Sequence, residues 1–135
     1  MIGTRMRFHH VGIATADIAK VASDYERMLG IGPSTAVTVD ELQKVRVAFA
    51  PLGEDTFLEF VEPLGPGSPV DRIVARGGGP YHVCFAVADL AEAIREARDR
   101  GAVLVSPPTP AAAFGGRRVA FLAFSGGNLV ELLET

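Results

Sequence analysis

The sequence predicts an α+β fold made of two tandem βαβββ modules. Three observations carry this reading. A ten-residue block recurs 72 positions later. Within each copy the apolar pattern switches between the strand period of two and the helical period. Glycine, proline and acidic turn residues divide the strand candidates.

The repeat is the strongest signal, and fixed-period self-similarity decides the architecture wherever it occurs. HVGIATADIA (residues 10–19) is echoed by HVCFAVADLA (residues 82–91). The same offset carries Arg46-Val47-Ala48-Phe49 onto Arg118-Val119-Ala120-Phe121, Glu59 onto Glu131 and Glu62 onto Glu134. Three separated blocks in one register indicate a duplication. Module one covers about residues 7–62, a linker 63–80, and module two about 81–134, within a single domain of 135 residues.

Each element follows in order. The opening strands are expected over residues 8–15 and 81–88. Asp17 and Asp89 are N-cap candidates, because a short carboxylate accepts from the free N–H groups of a first turn. Glu92, three positions after Asp89, suggests a capping box. Ile18, Val21, Ala22, Tyr25 and Leu29 recur at helical spacing, as do Leu90, Ala93, Ile94 and Ala97. Gly30 and Gly101 stand where a left-handed C-terminal residue is wanted. Strands are then expected over 33–39, 44–51 and 56–62 in copy one, and over 103–106, 117–124 and 128–134 in copy two. The Pro- and Gly-rich linker holds a short helix near 70–75, and 107–116 reads as irregular.

Side-chain alternation selects the candidate site. On the second opening strand Val83, Phe85 and Val87 form an apolar face suited to packing on a helix, so His82 points the other way with Cys84 and Ala86. His10 likewise shares its face with Gly12 and Ala14. A lone strand histidine is usually a buried, hydrogen-bonded core residue. Two at repeat-equivalent positions favour a shared task. Glu59 and Glu131 each lie between apolar residues. Burying an ionised carboxylate without a partner costs several kcal/mol, so each must be paired, at an edge, or bound to a cation. Two imidazoles and two carboxylates suit one divalent ion, Co²⁺, Ni²⁺, Zn²⁺, Mn²⁺ or Fe²⁺, with open positions for substrate. Cys84 shares the His82 face but reads first as a small buried hydrophobe. Glu62 and Glu134, of opposite parity at strand ends, are expected at a solvated surface.

Composition bounds the partners. Hydrophobic residues make up 48% and charged residues 21%, and the formal net charge is −3. This is an ordinary globular composition with no basic stripe, so nucleic acid is not expected as a partner. No apolar run approaches the ~20 residues of a membrane helix, and residues 1–7 lack the apolar stretch of a signal peptide. The single cysteine rules out an internal disulfide, and the expected location is the cytoplasm.

A duplicated βαβββ module with His on each first strand and Glu on each last strand resembles the vicinal-oxygen-chelate superfamily, over about residues 8–134. The superfamily includes glyoxalase I, extradiol dioxygenases and methylmalonyl-CoA epimerases. The resemblance implies a curved, partly closed mixed sheet around a metal site, with the helices outside. Within the superfamily the phrases His10-Val11-Gly12-Ile13-Ala14, Val45-Arg46-Val47-Ala48-Phe49, Leu58-Glu59-Phe60-Val61-Glu62-Pro63-Leu64, Ser68-Pro69-Val70 and His82-Val83-Cys84-Phe85 are similar to the methylmalonyl-CoA epimerase family. That likeness places the metal ligands at His10, Glu59, His82 and Glu131. It implies chelation of two substrate oxygens, proton transfer at the carbon between them, an acyl-CoA or other thioester or thiol-adduct substrate, and a homodimer.

Two departures bear on mechanism. The epimerases carry a catalytic Glu on the strand matching residues 45–50, where this chain has Arg46 or Val47. Their His-Pro-Lys phrase before the last strand is replaced by Ser125-Gly126-Gly127-Asn128. Glu131 is therefore expected to serve as one acid/base, loosening its metal bond as it takes the proton. The second acid/base is unassigned, with Glu41 the nearest upstream carboxylate. Arg46 is a candidate for binding a substrate carboxylate or phosphate. The leading expectation is a metal-dependent epimerase of a 2-substituted malonyl-CoA. The alternatives are a glyoxalase-type lyase or isomerase acting on a thiol adduct of a 2-oxoaldehyde, and a non-catalytic small-molecule binding protein.

Overall fold

The strand–helix–strand order written in the sequence is the order that forms. The computed structural model describes residues 6–135; of the stretch read above as free of a leader, residues 1–5 lie outside them. The first copy contains β1 (Met6–Ala14), α1 (Ile18–Leu29), β2 (Thr38–Asp40), β3 (Val45–Gly53) and β4 (Thr56–Pro63). The short helix α2 (Asp71–Ala75) follows in the linker. The second copy contains β5 (Gly79–Val87), α3 (Leu90–Asp99), β6 (Val103–Pro110), β7 (Arg118–Ala123) and β8 (Leu129–Glu134).

Contacts divide the chain into two compact units. One is His10–Tyr81, and the other joins His82–Thr135 to residues 6–9. The division cuts through β1. The physical reason is packing. Met6 lies against the helix-side cluster of the second copy, and the Phe8 and Phe85 rings meet edge-on at 6.2 Å.

Within His10–Tyr81 the strand order is β2-β3-β4-β1, with β4 parallel to β1 and antiparallel to β3. Ile13, Ala48, Ala50 and Phe60 form a buried cluster with Ile18, Val21, Ala22 and Tyr25 of α1. Leu29, expected on that apolar stripe, is 66% exposed, because the helix ends there. Asp17 caps α1 by accepting from the Lys20 amide at 3.1 Å, and Gly30 closes it at φ 69°. The strand expected over residues 33–39 shrinks to three residues. Ahead of it the chain is tied to β3 through Thr35, whose amide donates to the Phe49 carbonyl and whose hydroxyl accepts from the Phe49 amide. The linker is pinned at Gly78, where a Cβ would lie 2.5 Å from the Ala14 carbonyl oxygen and φ is +81°.

His82–Thr135 repeats the plan, with β5 parallel to β8, β8 antiparallel to β7, and β7 antiparallel to β6. Val87, Leu90, Ala93, Ile94, Ala120, Leu122, Val130 and Leu132 make its helix-side core. Asp89 caps α3 by accepting from the Glu92 amide at 3.0 Å, and the Glu92 carboxylate also holds Arg95. β6 runs on through Pro107, Pro108 and Pro110, where the sequence suggested an irregular stretch. Register shifts absorb the prolines, which edge strands tolerate because no ladder partner needs their missing N–H. No helix among the described residues is long and apolar enough to cross a membrane.

Candidate functional site

In His10–Tyr81 the site face is set by strand parity. Leu58 and Phe60 belong to the helix-side cluster, so Glu59 between them faces the other way. Val11 and Ile13 do the same for His10 and Gly12. Parallel pairing sets Gly12 opposite Glu59, and the absent side chain leaves the carboxylate room beside the imidazole. His10 Nε2 and Glu59 Oε1 are 3.3 Å apart, with side chains 0% and 7% exposed. Phe49 is the antiparallel partner of Glu59, and its ring meets the His10 imidazole edge-to-face at 5.8 Å. Phe57, paired with His10, packs edge-on against Phe49 at 5.9 Å.

The other unit builds the same arrangement independently. Val130 and Leu132 face α3, and Glu131 between them does not. Cys84 is its parallel partner and Phe121 its antiparallel one. His82 Nε2 lies 3.1 Å from Glu131 Oε1, with both side chains at most 5% exposed. The Phe121 ring meets the His82 imidazole at 5.4 Å and 87°. A second apolar cluster, Cys84, Ala111, Val119 and Leu133 with Phe114 and Phe121, lies on this side of the strands. Cys84 is fully buried and belongs to that cluster.

The donor chemistry of each pair fits a divalent cation. Two ligand atoms about 2.1 Å from one ion and about 90–109° apart stand about 3.0–3.4 Å from each other. Both observed separations fall in that interval. An imidazole nitrogen with a carboxylate oxygen is a borderline-to-hard donor set. A buried carboxylate set beside an imidazole stabilises a fold poorly, because it loses its hydration, and hydrophobic replacement of buried polar pairs is often neutral or better. Each of the two buried His–Glu pairs is therefore a poor stabilising device and a suitable ligand pair for a cation.

The structure does not bring Arg46 to the His10 and Glu59 face. It shares parity with Ala48 and Ala50, on the helix side. Its Nη1 donates to Glu62 Oε1 at 3.2 Å and to the Pro63 carbonyl at 3.1 Å. Glu62 is not simply solvated, since its Oε2 accepts from the Ile18 amide at 2.8 Å and caps α1 from a neighbouring strand. Glu134 is also engaged, by the Arg118 amide and guanidinium. The Arg118 side chain, and then its amide, hold the Glu134 carboxyl below its ordinary value. Val47, buried at 5% exposure, faces the same side as Phe49 and Glu59. Glu41 is exposed in the turn between β2 and β3. Phe49 and Phe121 are the site residues that sequence reasoning passed over. The signal was available, because both obey the repeat offset and each precedes its glutamate by the same distance.

Comparison with known proteins agrees with this geometry. Residues 9–121 match the family model described as Glyoxalase/Bleomycin resistance protein/Dioxygenase superfamily. The chain is 35% identical to the human mitochondrial methylmalonyl-CoA epimerase, over 93% of this chain and 72% of that protein. It is 34% identical to the ethylmalonyl-CoA/methylmalonyl-CoA epimerase of Cereibacter sphaeroides, over 98% of each. A variant of the Streptomyces coelicolor methylmalonyl-CoA epimerase, solved in complex with 2-nitronate-propionyl-CoA, superposes with a TM-score of 0.84 at 27% identity, over 97% of this chain and 95% of that one. With its duplicated βαβββ plan and a buried His–Glu pair in each copy, the chain belongs to the glyoxalase/bleomycin resistance protein/dioxygenase superfamily, among relatives that are methylmalonyl-CoA epimerases.

Proposed function

We propose that His10, Glu59, His82 and Glu131 together hold one divalent metal ion (Co²⁺, Ni²⁺, Zn²⁺, Mn²⁺ or Fe²⁺), and that the chain is a metal-dependent epimerase of a 2-substituted malonyl-CoA. The observation that carries the reading is the twinning of the buried His–Glu pair at repeat-equivalent positions. Each of the four residues offers one donor atom. The acyl-CoA class is supported by the relatives' names and by the bound 2-nitronate-propionyl-CoA of the Streptomyces protein.

One divalent ion in this site would supply Lewis-acid charge for the substrate's carboxylate and thioester carbonyl oxygens, making the proton on the carbon between them easier to remove. The chain's own residues do the rest. Glu131 takes the α-proton from one face of that carbon and afterwards passes it to solvent, which resets the carboxylate for the next turnover. The apolar cluster around Cys84, Val119 and Leu133 keeps water from the reacting carbon on the Glu131 side. Inversion also needs a proton donor on the opposite face. β3 offers Arg46 or Val47 at the position where the epimerases carry Glu, and neither is a carboxylate, so that donor comes from outside β3.

The Val47 position and the Ser125–Gly127 turn favour one second reading, a glyoxalase-type lyase or isomerase on a thiol adduct of a 2-oxoaldehyde, which needs a single base. The experiment is deuterium entry at the α-carbon of methylmalonyl-CoA in D₂O with Co²⁺-loaded protein, beside His82→Ala. Exchange that the variant lacks supports the epimerase. No exchange with methylmalonyl-CoA, but turnover of the hemithioacetal of a 2-oxoaldehyde, replaces it with the second reading. Neither activity leaves a small-molecule binding protein. The sequence expectation of a cytoplasmic location is kept as part of this proposal, and the resemblance adds a homodimer. Light scattering that gives twice the 14.2 kDa chain mass supports the dimer, and a single chain mass refutes it.

A further inference from the structure

We infer that Phe49 and Phe121 are positioning residues for the two site histidines. Each ring fixes the rotation of one imidazole, and with it the direction in which Nε2 is offered. The inference rests on the metal reading above.

A strand fixes the Cα–Cβ direction of a histidine, but the imidazole still turns about its last side-chain bond, in a broad and shallow well. A turn of a few tens of degrees moves Nε2 out of line with a carboxylate about 3 Å away, and metal ligation tolerates little of that. Something must hold the ring. In each unit the aromatic side chain directly across the ladder from the glutamate does so. Phe49 meets His10 at 5.8 Å and 74°, and Phe121 meets His82 at 5.4 Å and 87°. Both are edge-to-face contacts in the preferred range for aromatic pairs.

The two contacts arise in separately packed units, so common surroundings do not explain their likeness. The parallel partner of the glutamate differs between the copies, Gly12 in one and Cys84 in the other, whereas the antiparallel partner is phenylalanine in both. Phenylalanine suits the task because its ring is flat, so it resists rotation of the imidazole. It also carries no lone pair or N–H that would compete for Nε2. The Phe57 ring backs Phe49 and stiffens the first contact. Neither Phe49 nor Phe121 is a member of the helix-side cores, so their rings serve the site face.

The test compares Phe49→Leu and Phe121→Leu with Phe49→Tyr and Phe121→Tyr. The readouts are Co²⁺ affinity against a competing chelator and the visible absorption spectrum of the Co²⁺ protein. Phe60→Leu is the control for loosened packing, because Phe60 is fully buried next to Glu59 but on the helix side. Each site leucine variant should lose about tenfold in Co²⁺ affinity and shift the spectrum, as substitutions that support a metal ligand do. Tyrosine, which keeps the ring, should restore both, and Phe60→Leu should leave both unchanged. Leucine variants with wild-type affinity and spectrum, or a Phe60→Leu loss as large as theirs, would overturn the inference alone. A wild-type chain that binds no Co²⁺ would overturn the metal reading and this inference with it.

Discussion

Replacing Glu62 separates a structural acid from a surface one. The Glu62 carboxylate accepts from the Ile18 amide at 2.8 Å, one of the N–H groups that a helix start leaves without an intrahelical partner. It also receives the Arg46 guanidinium at 3.2 Å. Losing a charge-assisted bond to a part-buried amide costs about 1.5–2 kcal/mol, and losing negative charge at a helix N-terminus about 0.3–1 kcal/mol. The Arg46 side chain is 40% exposed, so after solvent screening that pair adds no more than about 0.3 kcal/mol. Glu62→Ala should therefore lose about 2–3 kcal/mol, which for a chain of this length lowers the unfolding midpoint by about 7–11 °C. Thermal unfolding followed by circular dichroism measures this directly. Glu62→Gln, which keeps an acceptor oxygen, should recover part of the loss, and neither variant should change Co²⁺ affinity. A Glu62→Ala midpoint within about 2 °C of wild type, the range of an ordinary surface substitution, would refute the capping role.

Further outcomes follow from the same geometry. Glu131→Gln should abolish α-proton exchange by at least about a hundredfold, the usual worth of a positioned base, with the far-ultraviolet spectrum unchanged; full exchange in a variant that keeps its metal would remove Glu131 from the chemistry. Gly78→Ala should destabilise by about 2–3 kcal/mol in chemical denaturation, because the new methyl meets the Ala14 carbonyl and φ is positive. Arg118 holds the Glu134 carboxyl below its ordinary value, so this pair stabilises the fold above the unfolded carboxyl pKa and loses that effect as pH falls through the lowered folded value. Arg118→Leu should move the Glu134 carbon titration in NMR to higher pH, and an unmoved titration would show that the pairing does not persist in solution.

The repeat made His10, Glu59, His82 and Glu131 legible, because a shared offset and strand parity are both local to the sequence. Parity also placed Cys84 and Gly12 on the site face correctly. Parity did not show what a side chain meets at long range. Glu62 read as solvated because its partner, the Ile18 amide, lies 44 residues away. Arg46 read as a substrate contact because its register with Glu62 appears only once β3 and β4 pair. The prolines of residues 107–110 read as a break because an edge strand and its register shifts are tertiary facts. The division of β1 between two units came from Met6 and Phe8 packing on the far copy, which no window around residues 6–9 contains. Phe49 and Phe121 were visible in the repeat, but their use depends on which residue faces them across the ladder.

Metal stoichiometry decides whether the two His–Glu pairs serve one ion. Protein stripped of metal, titrated with Co²⁺ and analysed by equilibrium dialysis with elemental analysis, should bind one ion per chain. Either His10→Ala or His82→Ala should lose that ion. Two ions per chain, each removed by only one of the two substitutions, would contradict the claim and make the pairs separate sites.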